Sequence, residues 1–336
     1  MKKLQNSLYI TRQKSYLHKE RETLVIDCEG EKVLQIPVHS ISSIFCFGNV
    51  LVSPFLIGFC SENSIGLAFF TEYGRFLGRM QGQQNGNVLL RRAQYRQSEQ
   101  QPINVARNII AAKIVSSRAV LQRQIRNFGE SEPLRKAISR LKHSLEQARR
   151  CQSLDSLRGI EGEAAAVYFS VFSSLLRNES FSFSGRSRRP PKDSVNAMLS
   201  FVYSVLGQDI SAALQGVGLD PQVGFLHVDR PGRDGLAQDL LEEFRAAWAD
   251  RLVLSLINRK QVDQKGFSVE ASGAVTMSEA TRKAVLVAYQ EKKQEEIEHP
   301  YLKEKVPFGL LPHVQAQLLA AHLRGDLETY PAFVNR

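Results

Sequence analysis

A chain of 336 residues, 43% hydrophobic and 23% charged, is long enough to bury two cores and too well balanced to be fibrous or disordered. Its 44 lysines and arginines against 34 acids leave a formal charge of +10, which favours a polyanionic partner such as nucleic acid. Cys28, Cys46, Cys60 and Cys151 form no C-x-x-C pair, which argues against a zinc or disulfide framework and for a reduced, cytoplasmic protein. No Walker A loop or dinucleotide fingerprint points to a nucleotide cofactor. The opening MKKLQNSLYITRQ lacks the apolar stretch of a signal peptide, and no apolar run reads as a membrane span.

The first 80 residues are rich in β-branched and aromatic side chains. Short runs at Ser7–Thr11, Ser15–Lys19, Thr23–Asp27, Lys32–Pro37 and Ser42–Phe47 are separated by turn signals such as Glu29-Gly30. Ser53-Pro54 opens a short helix, and Gly66–Thr71 and Arg75–Met80 flank the turn Glu72-Tyr73-Gly74. The spacing predicts a small, mostly-β, sandwich-like domain over 1–82, suited to dimer contact and support. The polar run Gln81 to Asn87 marks the boundary, with a linker over 83–87. From 88 to 336 the pattern is helical. Helices are predicted at Val88–Arg96, Pro102–Phe128, Glu132–Arg149, Leu154–Asn178, Ser194–Leu206, Gln208–Val217, Gly235–Asn258, Ser278–Glu295 and Leu311–Arg324. The fold class is therefore α+β, with a small β domain followed by a large all-α domain.

Two stretches carry candidate chemistry. In Leu154–Asn178, Glu161 falls inside the apolar arc, between Tyr168 and Phe172. A carboxylate there costs on the order of several kcal/mol unless it is neutral, paired or metal-bound. Gly162 and Ala164 to Ala166 thin the helix so that a partner can approach, while Glu163 points to solvent. The alternative for Glu161 is a buried ion pair with an arginine. In Gly224–Arg245, His227 sits in a turn-rich loop and Asp234 is placed to cap the next helix. Leu236, Leu240, Phe244, Ala247 and Trp248 face the core, and Asp239 and Glu242 share the opposite arc. One imidazole and two carboxylates form a mixed N/O divalent-metal set; the alternative is an ordinary solvated acidic face.

Two basic features accompany them. Arg91, Arg92 and Arg96 lie beside Tyr95 at the start of the helical region. Arg186, Arg188, Arg189 and Lys192 sit in a proline-stiffened loop suited to phosphate contacts, or else form a plain solvated basic loop. His18, His39, His143, His299, His313 and His322 have no acidic constellation around them and read as surface or packing residues.

The ordered motifs IEG on a helix, RSRRPPKDSVNAMLSFVY, GFLH and DLLEEFR resemble those of the CRISPR-associated integrase family, Cas protein one. The runs SSIFCFGNVLVSP, FFTEYGRFLGRM and GNVLLRRAQYR are similar to the same family, and to its type I-C branch. The resemblance spans nearly the whole chain. It implies a metal-dependent DNA endonuclease and integrase that inserts spacers into CRISPR arrays by phosphodiester transesterification. It puts the metal ligands on Glu161, His227 and Glu242, with Asp239 as an additional acid at the site and Mn²⁺ or Mg²⁺ as the ion. It also implies double-stranded or branched DNA with single-stranded ends as substrate. The implied assembly is a homodimer, joined by Cas protein two in a heterohexamer, with no membrane partner. Two readings compete: a non-catalytic basic DNA-binding dimer, and a carboxylate-pair hydrolase, which the positive charge and the histidine oppose.

Overall fold

Strand-forming runs at the N-terminus build two four-stranded sheets. The computed structural model describes residues 6–63, 65–80 and 87–335. The strands are β1 (Asn6–Ile10), β2 (Ser15–Glu20), β3 (Thr23–Cys28), β4 (Glu31–Pro37), β5 (Ile41–Phe47), β6 (Val50–Val52), β7 (Gly66–Phe70) and β8 (Phe76–Met80). One sheet has the order β1-β5-β7-β8, with β1, β5 and β7 parallel; the other has the order β4-β3-β2-β6. Helix α1 (Pro54–Glu62) starts on Ser53, whose side chain accepts from Leu56 N at 3.2 Å. It packs Leu56, Phe59 and Cys60 into a core shared with Leu17, Leu24, Ile26 and Ile44. The expected sandwich with one helix is present, and β6 is an additional strand. Most of the 83–87 linker lies outside the described residues, while Asn87 caps the first long helix through Leu90 N at 3.0 Å.

Strand β5 is buried on both faces. Ile44 and Cys46 point into the small core, whereas Phe45 and Phe47 join the large helical core. Parallel strands covered on both sides carry apolar residues at nearly every position, and the stretch 44–47 of this strand does so. Phe47 stacks on Phe70 and packs against Phe201 at 5.8 Å between ring centroids.

The helical region contains α2 (Val88–Gln100), α3 (Pro102–Phe128), α4 (Glu132–Arg150), α5 (Leu154–Ser170), α6 (Ser194–Val217), α7 (Gly235–Phe244), α8 (Arg251–Asn258), α9 (Glu279–Gln294) and α10 (Leu311–Arg324). Two small hairpins, Phe267–Val269 with Val275–Met277 and Glu296–Glu298 with Lys305–Pro307, were not foreseen; strands of three residues are too short to show a period. The predicted break near Gly207 is absent. Burial along the single helix α6 outweighs the glycine's helix cost of about 1 kcal/mol, and the helix ends at Gly218 in left-handed conformation. Helix α6 is long and apolar enough to cross a membrane (mean hydropathy 1.3), contrary to the sequence expectation, yet 67% of that window is buried inside the protein, as befits a core helix. The helix expected over Leu154–Asn178 stops at Ser170 and continues as a 3-10 turn.

The hairpin β7–β8 docks on the helical region. Gly74 at its tip has φ +85°, and a Cβ there would meet the Phe201 ring at 2.2 Å, so only glycine fits both the backbone and the space. Glu72 pairs with the buried Arg282 of α9 at 3.7 Å.

Candidate metal centre and active site

The loop that carries His227 is held from below. Gln94 of α2, fully buried, donates from Nε2 to the carbonyls of Asp220 (2.7 Å) and Val223 (2.8 Å) and accepts from Asp220 N (2.9 Å). Tyr95 Oη donates to Asp220 Oδ2 at 2.7 Å, which ties this ring to the turn rather than to a neighbouring arginine face. Helix α7 is capped by chain rather than by its N-cap side chain: the Leu236 and Ala237 amides donate to Pro221 O at 2.9 and 3.2 Å. The Asp234 carboxylate makes no capping bond, contrary to expectation.

Asp239 is fully buried beneath the loop. Its Oδ2 accepts from Phe225 N (2.6 Å) and Leu226 N (3.0 Å); its Oδ1 accepts from His227 N (3.1 Å) and lies 2.6 Å from His227 Nδ1. Gly224 permits this approach, since a Cβ there would sit 2.7 Å from Oδ2. With a carboxylate at Nδ1, that nitrogen carries the proton and Nε2 presents its lone pair. Both oxygens of Asp239 are thus committed. The residue orients His227 and offers no free oxygen to a reacting group.

Glu242 is 5% exposed, one turn further along α7. The alternative of a solvated acidic face does not hold: Asp239, Glu242 and Glu243 are all buried, because α7 packs against α3, α6 and the C-terminal segment. Glu242 Oε2 lies 2.7 Å from Lys113 Nζ and 3.0 Å from Arg245 Nε. Glu161 of α5 pairs through Oε1 with the same Lys113 ammonium. The partner of Glu161 is therefore a lysine rather than the arginine considered above, and the Glu161 side chain is 25% exposed rather than buried. Burial pushes the Glu242 pKa up, but Arg245 and then Lys113 outweigh it and hold this carboxyl well below the usual range. Lys113 escaped the sequence reading. Its signal is a cation set in the apolar run IIAAKIV, whose neighbours Ile110, Ala112 and Ile114 are buried.

After Phe244 the helix widens into a π turn over Arg245–Asp250. Such turns often accompany functional positions. This one brings Arg245 beside Glu242 and over the Tyr203 ring at 4.5 Å. Tyr203 Oη donates to Asp250 Oδ1 at 2.5 Å, and burial pushes the Asp250 pKa up to about 6 against the pull of Tyr203, Tyr168 and Arg245.

The structure thus brings Glu161 and Glu242 onto one ammonium and sets His227 against Asp239, one turn before Glu242 on the same helix. Among the described residues, no three His, Cys, Asp or Glu side chains stand close enough together to hold an ion as they are placed. The donor types nevertheless fit a divalent ion: two carboxylates already converge on a cation, and the nearby imidazole has a free Nε2 lone pair.

The basic residues divide. Arg186 is partly buried and held: Nη1 donates to Asn196 Oδ1 (2.7 Å) and Nη2 to Ser200 Oγ (3.1 Å), with its guanidinium over Tyr203. Arg188 and Arg189 are exposed, as are Arg92 and Arg96, while Arg91 is half-buried. A groove of about 470 Å³ lined by Phe169, Ser173, Phe183, Arg186 and Arg188 adjoins the cavity on which Lys113 and Arg245 open.

Comparisons with known proteins place the chain in a family. The family model described as CRISPR associated protein Cas1 matches residues 8–291. The CRISPR-associated endonuclease Cas1 1 of Chlorobaculum tepidum is 48% identical over the full length of both chains, and its counterpart Cas1 2 of Rhodospirillum rubrum is 46% identical over 98% of each. Among solved structures, a CAS1 protein from Thermotoga maritima superposes with a TM-score of 0.82 at 25% identity, covering 95% of this chain and 97% of that one. A casposase bound to integration product shares the fold, with a TM-score of 0.83 at 23% identity over 96% and 92% of the two chains. The chain belongs to the Cas1 family of CRISPR-associated proteins.

Proposed function

We propose that this chain is a divalent-metal-dependent DNA endonuclease and integrase of CRISPR adaptation, which joins short DNA fragments to a repeat array by transesterification. The observation that carries the reading is the convergence of Glu161 and Glu242 on one cation next to an imidazole with Nε2 free. The names of its relatives, endonucleases all, support the nuclease part. The sequence runs around Phe47, Phe76 and Arg92 support a place in the type I-C branch.

Glu161, Glu242 and His227 Nε2 would hold Mn²⁺ or Mg²⁺, which when bound polarises the phosphoryl oxygen and stabilises charge on the leaving oxygen. The residues of the chain supply the rest. Asp239 keeps the His227 proton on Nδ1 and fixes the ring. Arg245 and Lys113 keep Glu242 ionised at neutral pH. Exposed Arg188 and Arg189 hold phosphates and restrict the DNA to in-line approach, with the attacking oxygen about 3–3.5 Å from phosphorus. A 3′-hydroxyl oxygen loses its proton and forms the new bond to phosphorus, the bond between phosphorus and the array's 3′ oxygen breaks, and that leaving oxygen takes up a proton. With water as nucleophile the same centre is a nuclease.

The assembly proposed is a homodimer through the strand region, completed by Cas protein two. Exposed Leu51, Phe55 and Leu77 on that region support the homodimer, and a chain of the same fold solved in a Cas6-RT-Cas1–Cas2 complex supports the Cas protein two partner. Glu161→Ala is expected to abolish cleavage and integration with the fold intact; wild-type integration by that variant would refute the assignment. A second reading, a DNA-binding dimer without catalysis, draws on Lys113 already neutralising the two carboxylates. Nicking of supercoiled plasmid in Mn²⁺ but not in chelator decides between them.

A further inference from the structure

The Asp234 carboxylate stands at the N-cap of α7, yet it turns away from the helix. Its Oδ2 accepts from Arg79 Nη1 at 2.9 Å and from Ser211 Oγ at 3.0 Å, and Arg79 also hydrogen-bonds Ser211. Arg79 belongs to β8, and Ser211 to α6. The side chains of Arg79 and Asp234 are only 19% and 24% exposed, so water screens the pair incompletely. An N-cap aspartate ordinarily contributes about 1 kcal/mol to its helix. Here that interaction is replaced by a contact between the two halves of the molecule.

The position of Asp234 gives this contact its meaning. It ends the loop that begins at His227 and immediately precedes the helix that carries Asp239 and Glu242. The other end of that loop is fixed by Gln94 and by Asp239. The His227–Asp234 stretch itself is mostly exposed and makes one internal backbone bond, Arg233 N to Arg230 O. Arg79 is in turn not free to wander: the hairpin that bears it is pinned at its tip by Gly74 on Phe201 and Glu72 on Arg282.

We propose that Arg79, a residue of the strand region, is a positioning residue for the active site: through Asp234 and Ser211 it sets the loop bearing His227 and the start of α7. The inference rests on the reading of His227 and Glu242 as active-site groups. It makes the geometry of the site depend on where the β7–β8 hairpin sits, so that a partner binding the strand region acts on the site through one side chain.

The test uses the full chain and Arg79→Met, Arg79→Lys, Asp234→Asn and the Arg79→Met/Asp234→Asn double variant. Amide hydrogen exchange is followed by mass spectrometry without DNA, and plasmid nicking in Mn²⁺ is followed as kcat and KM. Arg79→Met is expected to raise exchange in segment 225–237 about tenfold while α3 and β5 keep wild-type protection. It is expected to lower kcat about tenfold with KM unchanged, as supporting residues around such sites do, and Arg79→Lys to restore most of the loss. Asp234→Asn should match Arg79→Met, and the double variant should be no worse than either. Unchanged exchange at 225–237, a loss confined to KM, or additive single effects would each overturn the proposal. If Arg79→Met does not fold, Asp234→Asn and Ser211→Ala break the same contact from the other side and are judged by the same criteria. If the wild-type protein does not nick DNA, the nuclease reading fails while hydrogen exchange still decides the role of Arg79.

Discussion

Nδ1 of His227 lies 2.6 Å from Oδ1 of Asp239, and the same carboxylate collects the amides of Phe225, Leu226 and His227. One buried anion thus fixes a loop, a ring and a tautomer together. Asparagine offers a single acceptor oxygen to these four donors and turns an N–H₂ toward the rest. Asp239→Asn is therefore expected to lower nicking by about 10–100-fold and to destabilise the fold by roughly 1–3 kcal/mol. Plasmid nicking and urea unfolding of the same preparation check both; near-wild-type values in the two assays would contradict the assigned role.

Lys113 is shared by Glu161 and Glu242. Replacing it with methionine leaves two carboxylates in a largely dry site, one of them still paired with Arg245. Lys113→Met is expected to lose about 3 kcal/mol of stability in chelator. Mn²⁺ at a hundredfold excess over its dissociation constant should return about 2.7 kcal/mol. A urea midpoint in the variant that ignores Mn²⁺ would show that the two carboxylates hold no ion.

Glu243 faces the C-terminal segment, accepting from Tyr330 Oη (2.7 Å), Phe333 N (2.6 Å) and Gln315 Nε2 (2.9 Å). Burial pushes its pKa from 4.5 up to about 8, against the pull of those donors. The folded chain then keeps a proton that the unfolded chain releases above 4.5. Its effect on stability is therefore a decline as pH rises from about 4.5 to 8, by at most about 1.4 kcal/mol per pH unit. Glu242, with its depressed pKa, acts in the opposite sense and only as pH falls below 4.5. Above the Asp250 pKa of about 6, urea midpoints between pH 6 and 8 should decline in the wild-type protein and flatten in Glu243→Gln; equal slopes there would show Glu243 ionised throughout.

Arg188 and Arg189 are exposed, whereas Arg186 is bound into Asn196, Ser200 and the Tyr203 face. Alanine at Arg188 or Arg189 is expected to weaken DNA binding and to reduce the slope of log K against log salt by about one each. Alanine at Arg186 should chiefly lower the melting temperature. A salt titration of DNA affinity, with melting curves beside it, separates the two; an unchanged slope in Arg188→Ala/Arg189→Ala would remove this loop from the DNA path.

Much of the architecture was legible because its signals are local. Short β-branched and aromatic runs between turn signals marked the strands, periodicity marked α3 and α4 to within a residue, and Ser53-Pro54 marked α1. The join at Leu206-Gly207-Gln208 and the fate of the Asp234 carboxylate were misread for one reason: each is decided by neighbours far along the chain, Gly207 by burial within α6 and Asp234 by Arg79, 155 positions away. At the site, Glu161 was legible as a carboxylate on an apolar arc, but its lysine partner comes from another helix, 48 positions earlier. The acids of α7 were placed on one arc, but whether that arc is solvated or covered stayed open between two readings, and packing against α3 and α6 decides it. Sequence periodicity locates a face; it does not say what covers it.

The double-sided strand β5 has a consequence for dissecting the gene. A fragment ending near residue 82 would leave the rings of Phe45, Phe47 and Phe70 in water, and the complementary fragment would lose the wall against which Phe201 rests. Neither piece is expected to stand alone, so the boundary visible in secondary structure is no seam for cutting, and both halves melt together as one cooperative body.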